Sequence, residues 1–191
     1  MLPWKKYLDF NINKDGFYTS CDMFSPKQID DGSRKLASVF NKSLSGEVAD
    51  LGAGWGYLSV EALRLNEQIT KITLFESNYS AHLASKKNIN DRRASFKWAS
   101  LENFKNVTPS FNHIICNPPF HSGYQKDINL LKSFIFYSSR LIKHSGSVWM
   151  VFVSGLSLEN DFKEHFGDIK ILYRDKHYYV CRLLKPKNKR Y

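Results

Sequence analysis

At 191 residues the chain is long enough for one well-buried α/β core and too short for two ordinary domains. Its composition, 42% hydrophobic and 24% charged, is that of a globular protein, and no apolar run approaches the ~20 residues that cross a bilayer, so no membrane span is expected. Lys and Arg number 28 against 18 Asp and Glu, a net charge of +10 that favours a polyanion such as nucleic acid as partner, or else a Lys-rich surface that serves solubility alone.

The start, Met1-Leu2-Pro3-Trp4-Lys5-Lys6, lacks the basic stretch, apolar run and cleavage site of a secretory signal, so a cytoplasmic location is expected. Cys21, Cys116 and Cys181 lie far apart and form neither a C-x-x-C pair nor a Cys/His cluster, which predicts reduced thiols and no metal. Residues 24–33 read as a loop that enters a helix over Arg34–Phe40. Glu47–Leu51 is a short apolar strand stopped by glycines, and Tyr57–Leu65 has a helix former at almost every position. The alternation continues with a strand at Lys71–Glu76, a helix from Ser80 to about Asn88, and strands at Ser95–Ala99 and His113–Cys116. Pro118 and Pro119 end the last of these, since proline cannot continue a central ladder. A long helix over Ile128–Ile142, a strand over Ser147–Val153 and a helix over Asp161–Phe166 follow. Two final strands, Ile169–Tyr173 and His177–Leu183, are joined by Arg174-Asp175-Lys176, a link short enough for an antiparallel hairpin.

Strands alternating with helices predict a parallel sheet covered on both faces, because right-handed crossovers place a helix between parallel neighbours. The expected architecture is α/β and Rossmann-like, a seven-stranded, mostly parallel sheet whose last strand is antiparallel. Residues 1–184 read as a single domain, with 1–45 covering a cleft and 185–191 a basic tail.

Asp50-Leu51-Gly52-Ala53-Gly54-Trp55-Gly56 stands at a strand-to-helix junction, beyond the carboxyl end of the strand, where open α/β sheets bind ligands. The spacing G-x-G-x-G headed by an acid differs from the G-x-G-x-x-G of dinucleotide enzymes and resembles motif I of class I methyltransferases. The resemblance implies S-adenosyl-L-methionine as cofactor, with Gly52, Gly54 and Gly56 turning against its methionine part and Asp50 orienting its ammonium group. Glu76 ends the next strand, where a carboxylate can accept hydrogen bonds from both ribose hydroxyls. An ordinary tight turn with a solvated strand end, or an NAD site, are the competing readings. Class I methyltransferases usually carry a polar or acidic residue after the third strand to read the adenine amino group; here Ser100 and neighbouring backbone groups stand in that place.

Asn117-Pro118-Pro119-Phe120 follows the fourth predicted strand, beside the same cleft. The two prolines fix the backbone, so the Asn117 amide and the Pro118 carbonyl can face one spot without losing ordering entropy at binding. A planar amino nitrogen conjugated to a base is a poor nucleophile; two such acceptors would bind its hydrogens and turn its lone pair toward a methyl donor. Phe120 would stack on the base, and Pro119 and His121 would contact it. His121 as general base is the less favoured role, because the nitrogen becomes acidic enough after methylation to give its proton to water. A proline-stiffened turn with Phe120 packed in the core is the alternative without chemistry.

Together, residues 50–60, Asn117-Pro118-Pro119-Phe120-His121-Ser122-Gly123, and upstream Phe24-Ser25 with Ile29-Asp30-Asp31-Gly32-Ser33 resemble the guanine-N2 methyltransferases of ribosomal RNA. The small-subunit ribosomal RNA methyltransferase C family has the nearest pattern, from roughly Gly16 to Leu183. The resemblance implies methylation of a guanine N2 in ribosomal RNA, and closure of Asp30 and Gly32 over the cofactor. Familiar members carry a degenerate second domain ahead of the catalytic one, where this chain has a short segment, and often an Asn where it has Ser154. A protein-glutamine or other amino-group methyltransferase and a non-catalytic, cofactor- and RNA-binding module remain as alternatives. Candidate RNA contacts are Lys5, Lys6, Lys86, Lys87, Arg92, Arg93 and the Lys185 to Arg190 tail.

Overall fold

Asn13 accepts the backbone N–H groups of Asp15 and Phe17 through Oδ1, at 3.0 Å each, and so closes a short hairpin between β1 (Asn11–Ile12) and β2 (Tyr18–Thr19). The computed structural model describes residues 9–104, 108–119, 121–122, 125–126 and 128–187, and only the backbone of 121, 122, 125 and 126. Phe120, Lys5, Lys6 and the last residues of the basic tail lie outside the described residues, as does the side chain of His121. Asp30 caps α1 (Asp31–Ser38) by accepting the Ser33 N–H at 2.9 Å. In chain order come β3 (Gly46–Leu51), α2 (Tyr57–Leu65), β4 (Ile69–Glu76), α3 (Tyr79–Asn88), β5 (Ala94–Trp98), a 3-10 turn at Leu101–Phe104 and β6 (Phe111–Cys116). The two-residue pair β7 (His121–Ser122) and β8 (Gln125–Lys126) precedes α4 (Ile128–Leu141), β9 (Ile142–Val153), α5 (Glu159–His165), β10 (Phe166–Arg174) and β11 (Tyr178–Pro186).

Val48, Ala49, Asp50 and Leu51 are all fully buried although their side chains alternate across β3, the mark of a strand covered on both faces. The seven-stranded sheet has the order β10-β11-β9-β6-β3-β4-β5. β3, β4, β5, β6 and β9 run parallel, and β11 is antiparallel to both β9 and β10. One face packs Leu131, Phe134 and Ile135 of α4 and Phe162 of α5 against Ile114, Val148 and Met150. The other packs Leu36 of α1 and Leu58, Ala62 and Leu63 of α2 against Val48, Ile72 and Trp149. With helices on both faces, the free edge above the carboxyl ends of β3, β4 and β6 is where a ligand can enter.

Two boundaries differ from the sequence reading for packing reasons. Ile142, expected to end the helix, is fully buried and pairs with Phe111, so the chain passes straight from α4 into β9. β11 continues through Pro186, which pairs with Phe166, so the start of the expected tail belongs to the sheet.

His113 lies buried on β6, with Nδ1 2.9 Å from the Ser147 hydroxyl, which also accepts the Trp149 indole N–H at 2.9 Å. Burial, with the charge of Arg182 adding to it, pushes the imidazole down to about 4 from an ordinary 6.5. The unfolded chain therefore binds a proton between these values that the native protein refuses. Stability is full above pH 6.5 and falls as the pH drops toward 4, by at most about 3 kcal/mol from this residue. Thermal unfolding followed from pH 7 to pH 4 should show that loss, and His113→Gln should flatten it; an unchanged slope in the variant would contradict the assignment.

Candidate active site

The glycine turn after β3 is built by backbone geometry that side chains resist. Gly52, Gly54 and Gly56 have φ of 70°, 55° and 97°. Gly56 precedes α2, and a Cβ there would come within 3.0 Å of Ile89 and 3.3 Å of Ser85, so it also admits α3 close to the turn. A Cβ on Gly54 would meet nothing within 4 Å; that side of the backbone is open.

Glu76, at the end of β4, latches the turn. Its Oε2 accepts the Gly54 N–H and its Oε1 the Asn78 N–H, both at 2.7 Å. Each carboxylate oxygen retains acceptor capacity for a ligand hydroxyl. Asp50 sits beneath the turn, wholly buried, with Oδ2 accepting from Ser59 at 2.7 Å and Oδ1 without a partner among the described residues. Burial raises its carboxyl to about 7, against the lowering effect of the Ser59 bond and with the nearby charge of Glu76 adding to the rise. Such a group gains more than an exposed acid from a cation placed nearby.

The cleft above the turn has a volume of about 310 Å³. Gly52, Ala53 and Gly54 form its floor, Glu76, Ser77, Asn78 and Ala81 one wall, and Asp30, Ser33, Asn117 and Pro119 the other. Met23, Phe24 and Ser25 line it from the N-terminal segment. Trp55 holds that segment in place: its indole N–H donates to the Phe24 carbonyl at 3.1 Å, and its ring lies 4.9 Å from that of Phe17.

Asn117 leaves β6 at the sheet edge, and Nδ2 donates to Asp30 Oδ2 at 2.9 Å and to Ser33 Oγ at 2.8 Å. A carboxylate only accepts, so the amide nitrogen must face Asp30, and the carbonyl oxygen is left as the acceptor directed elsewhere. Pro118 lines a small hollow behind Asn117, with Leu131, Val151, Phe152, Val153 and Tyr178.

Of the residues expected from sequence, the structure brings Asp30, Gly52, Gly54, Glu76, Asn117 and Pro119 to one cleft. Asp50 supports it from below, and Gly56 sets the start of α2. Gly32 is off the cleft wall, buried in the first turn of α1, where a Cβ would come within 3.1 Å of the Tyr178 ring and 3.0 Å of Asp30 Oδ2. Ser100 is exposed and turned away, its N–H and hydroxyl directed to Asn103 Oδ1 at 2.8 and 3.3 Å. Met23 and Asn78 are cleft residues that the sequence reading did not single out, and Phe24, Ser25 and Ser33, quoted there only as part of the resemblance, also line the cleft. Asn78 carried the one local signal, an N-cap position before α3 that Ala81 N–H satisfies at 2.9 Å. Arg93, an expected RNA contact, is held by Asp91 at 2.7 Å and by the Leu63 carbonyl at 3.1 Å. Among the described residues no metal-binding group of His, Cys, Asp and Glu gathers, and no helix is long and apolar enough to cross a membrane.

Comparison with known proteins gives this geometry a family context. A model of the methyltransferase small domain family matches residues 15–182. The ribosomal RNA small subunit methyltransferase C of Buchnera aphidicola subsp. Schizaphis graminum is 30% identical over 158 residues, 83% of this chain and 47% of that protein. Its counterpart in Actinobacillus succinogenes is 27% identical over 181 residues, 93% of this chain and 54% of that protein. The chain thus spans about half the length of these relatives. Among solved structures, the T. thermophilus 16S rRNA N2 methyltransferase in complex with AdoMet and guanosine aligns with a TM-score of 0.78 at 22% identity, over 93% of this chain and 50% of that one. A precorrin-6y C5,15-methyltransferase from Geobacter metallireducens aligns at 0.61 and 16% identity, over 93% and 100%, and shares the fold.

Glu76→Gln should test the latch. One of the two backbone N–H groups would then face an NH2 group, at a cost of about 1–3 kcal/mol in unfolding free energy. Amide exchange at Gly54 and Asn78 should accelerate in that variant; unchanged protection would show that the carboxylate does not hold the turn.

Proposed function

The chain belongs to the methyltransferase small domain family, and from that premise we propose that it methylates the exocyclic N2 amino group of a guanine in ribosomal RNA, using S-adenosyl-L-methionine. The observation that carries the reading is Asn117, whose amide is fixed through both hydrogens beside the glycine cleft, with its carbonyl oxygen left to bind an amino group. The relatives named for small-subunit ribosomal RNA methylation and the net charge of +10 support the substrate, and a ribosomal substrate agrees with a cytoplasmic location.

The cleft residues fit the cofactor. Gly54 leaves its backbone open, Glu76 has acceptor capacity toward a ribose, and buried Asp50, whose Oδ1 has no partner among the described residues, would be stabilised in its charged form by an ammonium group in the neighbouring cleft. When bound, the cofactor supplies an electrophilic methyl group on a sulfonium. Asn117 Oδ1 and the Pro118 carbonyl accept the two hydrogens of the guanine amino group, which rotates the nitrogen lone pair out of conjugation and toward the methyl carbon. Once the nitrogen carries the methyl group it would release one proton to water, so no side chain need act as base. Phe120, next along the chain, stacks on the base, and His121 orients it without acting as an obligatory base. Because Asn117 is anchored before the base arrives, the ordering entropy is lost at folding and not in each turnover.

Asn117→Ala should leave folding and cofactor affinity nearly intact while lowering the single-turnover rate of methyl transfer by ~10²–10³, the typical effect of losing one transition-state hydrogen bond. A folded, cofactor-binding variant with the wild-type rate would overturn the mechanism. Glu76→Ala should weaken S-adenosyl-L-methionine binding by roughly 1.5–3 kcal/mol, read by calorimetry, and unchanged affinity would displace the ribose from that carboxylate.

A further inference from the structure

The turn between β10 and β11 is more strongly fixed than a hairpin needs. Asp175 uses both carboxylate oxygens within it: Oδ1 accepts the N–H groups of His177 and Tyr178 at 2.8 and 2.7 Å, and Oδ2 accepts from the Tyr173 hydroxyl at 2.6 Å and pairs with Lys35 at 2.9 Å. Lys35 also donates to the Tyr173 hydroxyl at 2.7 Å and lies 4.4 Å from the centre of that ring, which ties the turn to α1. From the end of β9, Ser154 donates its hydroxyl to the Asp175 carbonyl at 2.9 Å and its N–H to the His177 carbonyl at 2.8 Å. The residue whose type departs from the family pattern is therefore a latch on this turn.

The side chains left facing solvent are Arg174, Lys176 and His177, all exposed. The turn's one carboxylate has its charge answered by Lys35, and the bonds from Tyr173, from backbone N–H groups and from Lys35 hold it well below the usual carboxylate range. The outward face is thus cationic. It stands close to Asn117, because Tyr178, which follows the turn, pairs with Val153 and lines with it the small hollow behind Asn117 and Pro118.

We propose that the Arg174–His177 turn is a preorganised backbone clamp for RNA, in which Arg174 and Lys176 bind phosphates flanking the nucleotide delivered to Asn117. This rests on the reading of RNA as substrate. Phosphates are the polyanion that two close cations on a rigid turn fit, and phosphate contacts position a strand without reading its sequence. Rigidity matters because a turn already ordered gives up little conformational freedom on binding. α1 joins the two functions: Asp30 and Ser33 hold Asn117, and Lys35, two residues farther along the helix, holds the clamp.

The test compares two double variants with the wild-type chain. Arg174→Ala with Lys176→Ala removes the clamp charges; Lys42→Ala with Lys71→Ala removes the same charge from exposed positions before or early in β3 and β4, toward the opposite edge of the sheet. Binding of ribosomal RNA is measured against salt concentration, with S-adenosyl-L-methionine affinity as the folding control. The clamp variant should lower the slope of log K against log salt by about 2 and raise the KM for RNA roughly tenfold, with cofactor affinity unchanged, while the second variant stays near wild type. Equal effects of the two variants would overturn the clamp in favour of diffuse charge, and an unchanged clamp variant would overturn it outright. A wild-type protein that methylates a protein but binds no RNA would overturn the substrate reading, and the clamp with it.

Discussion

The side-chain amide of Asn117 carries two hydrogens, and α1 presents two acceptors for them, the Asp30 carboxylate at 2.9 Å and the Ser33 hydroxyl at 2.8 Å. Much else in the site follows from this pairing. It leaves the amide oxygen as the atom free to accept, and under the proposed mechanism it makes the position of α1 a condition of the chemistry. It also explains the double use of Asp30, which caps the helix through Ser33 N–H with the same Oδ2 that binds Asn117. Gly32 completes the arrangement by absence, since a Cβ there would press on that oxygen and on Tyr178.

The glycine turn obeys the same logic from the other side of the cleft. Its backbone N–H groups need partners when buried, and Glu76 supplies one for Gly54 while tying the start of α3 through Asn78. A single carboxylate thereby couples β4, the turn after β3 and the N-terminus of α3. Burial beneath the turn raises the Asp50 carboxyl to about 7 by penalising its charged form, a cost that a cationic ligand would relieve. The two acids divide the work, one organising the backbone and one left electrostatically unsatisfied.

The regular elements were legible because their signals are local. Tyr57–Leu65 has the same bounds in sequence and structure, and the glycine turn, Glu76 and the Asn117-Pro118-Pro119 stretch stand at strand ends as their punctuation implies. Contacts between distant parts of the chain were not legible. Ser33 meets Asn117 across 84 positions, and nothing in either neighbourhood announces it. Ser100 matched by position along the chain, but a 3-10 turn begins at Leu101 and Asn103 captures its hydroxyl. Ser154, which stands where familiar members of the family often carry Asn, directs its hydroxyl to a turn 21 residues away. The β1–β2 hairpin has two-residue strands, too short for any alternation of apolar and polar residues to show.

A double-mutant cycle between Ser33 and Asn117 tests the central claim most directly, because it asks whether α1 acts on the acceptor through the amide. Single-turnover methyl transfer would be measured for Ser33→Ala, Asn117→Ala and the double variant on one ribosomal RNA substrate. If Ser33 serves to orient Asn117, its loss costs about 1 kcal/mol in the wild-type background and nothing further once Asn117 is gone, so the coupling energy equals the single effect. Additive losses, with Ser33→Ala slowing the Asn117→Ala enzyme as much as the wild type, would contradict the account and assign Ser33 to another step.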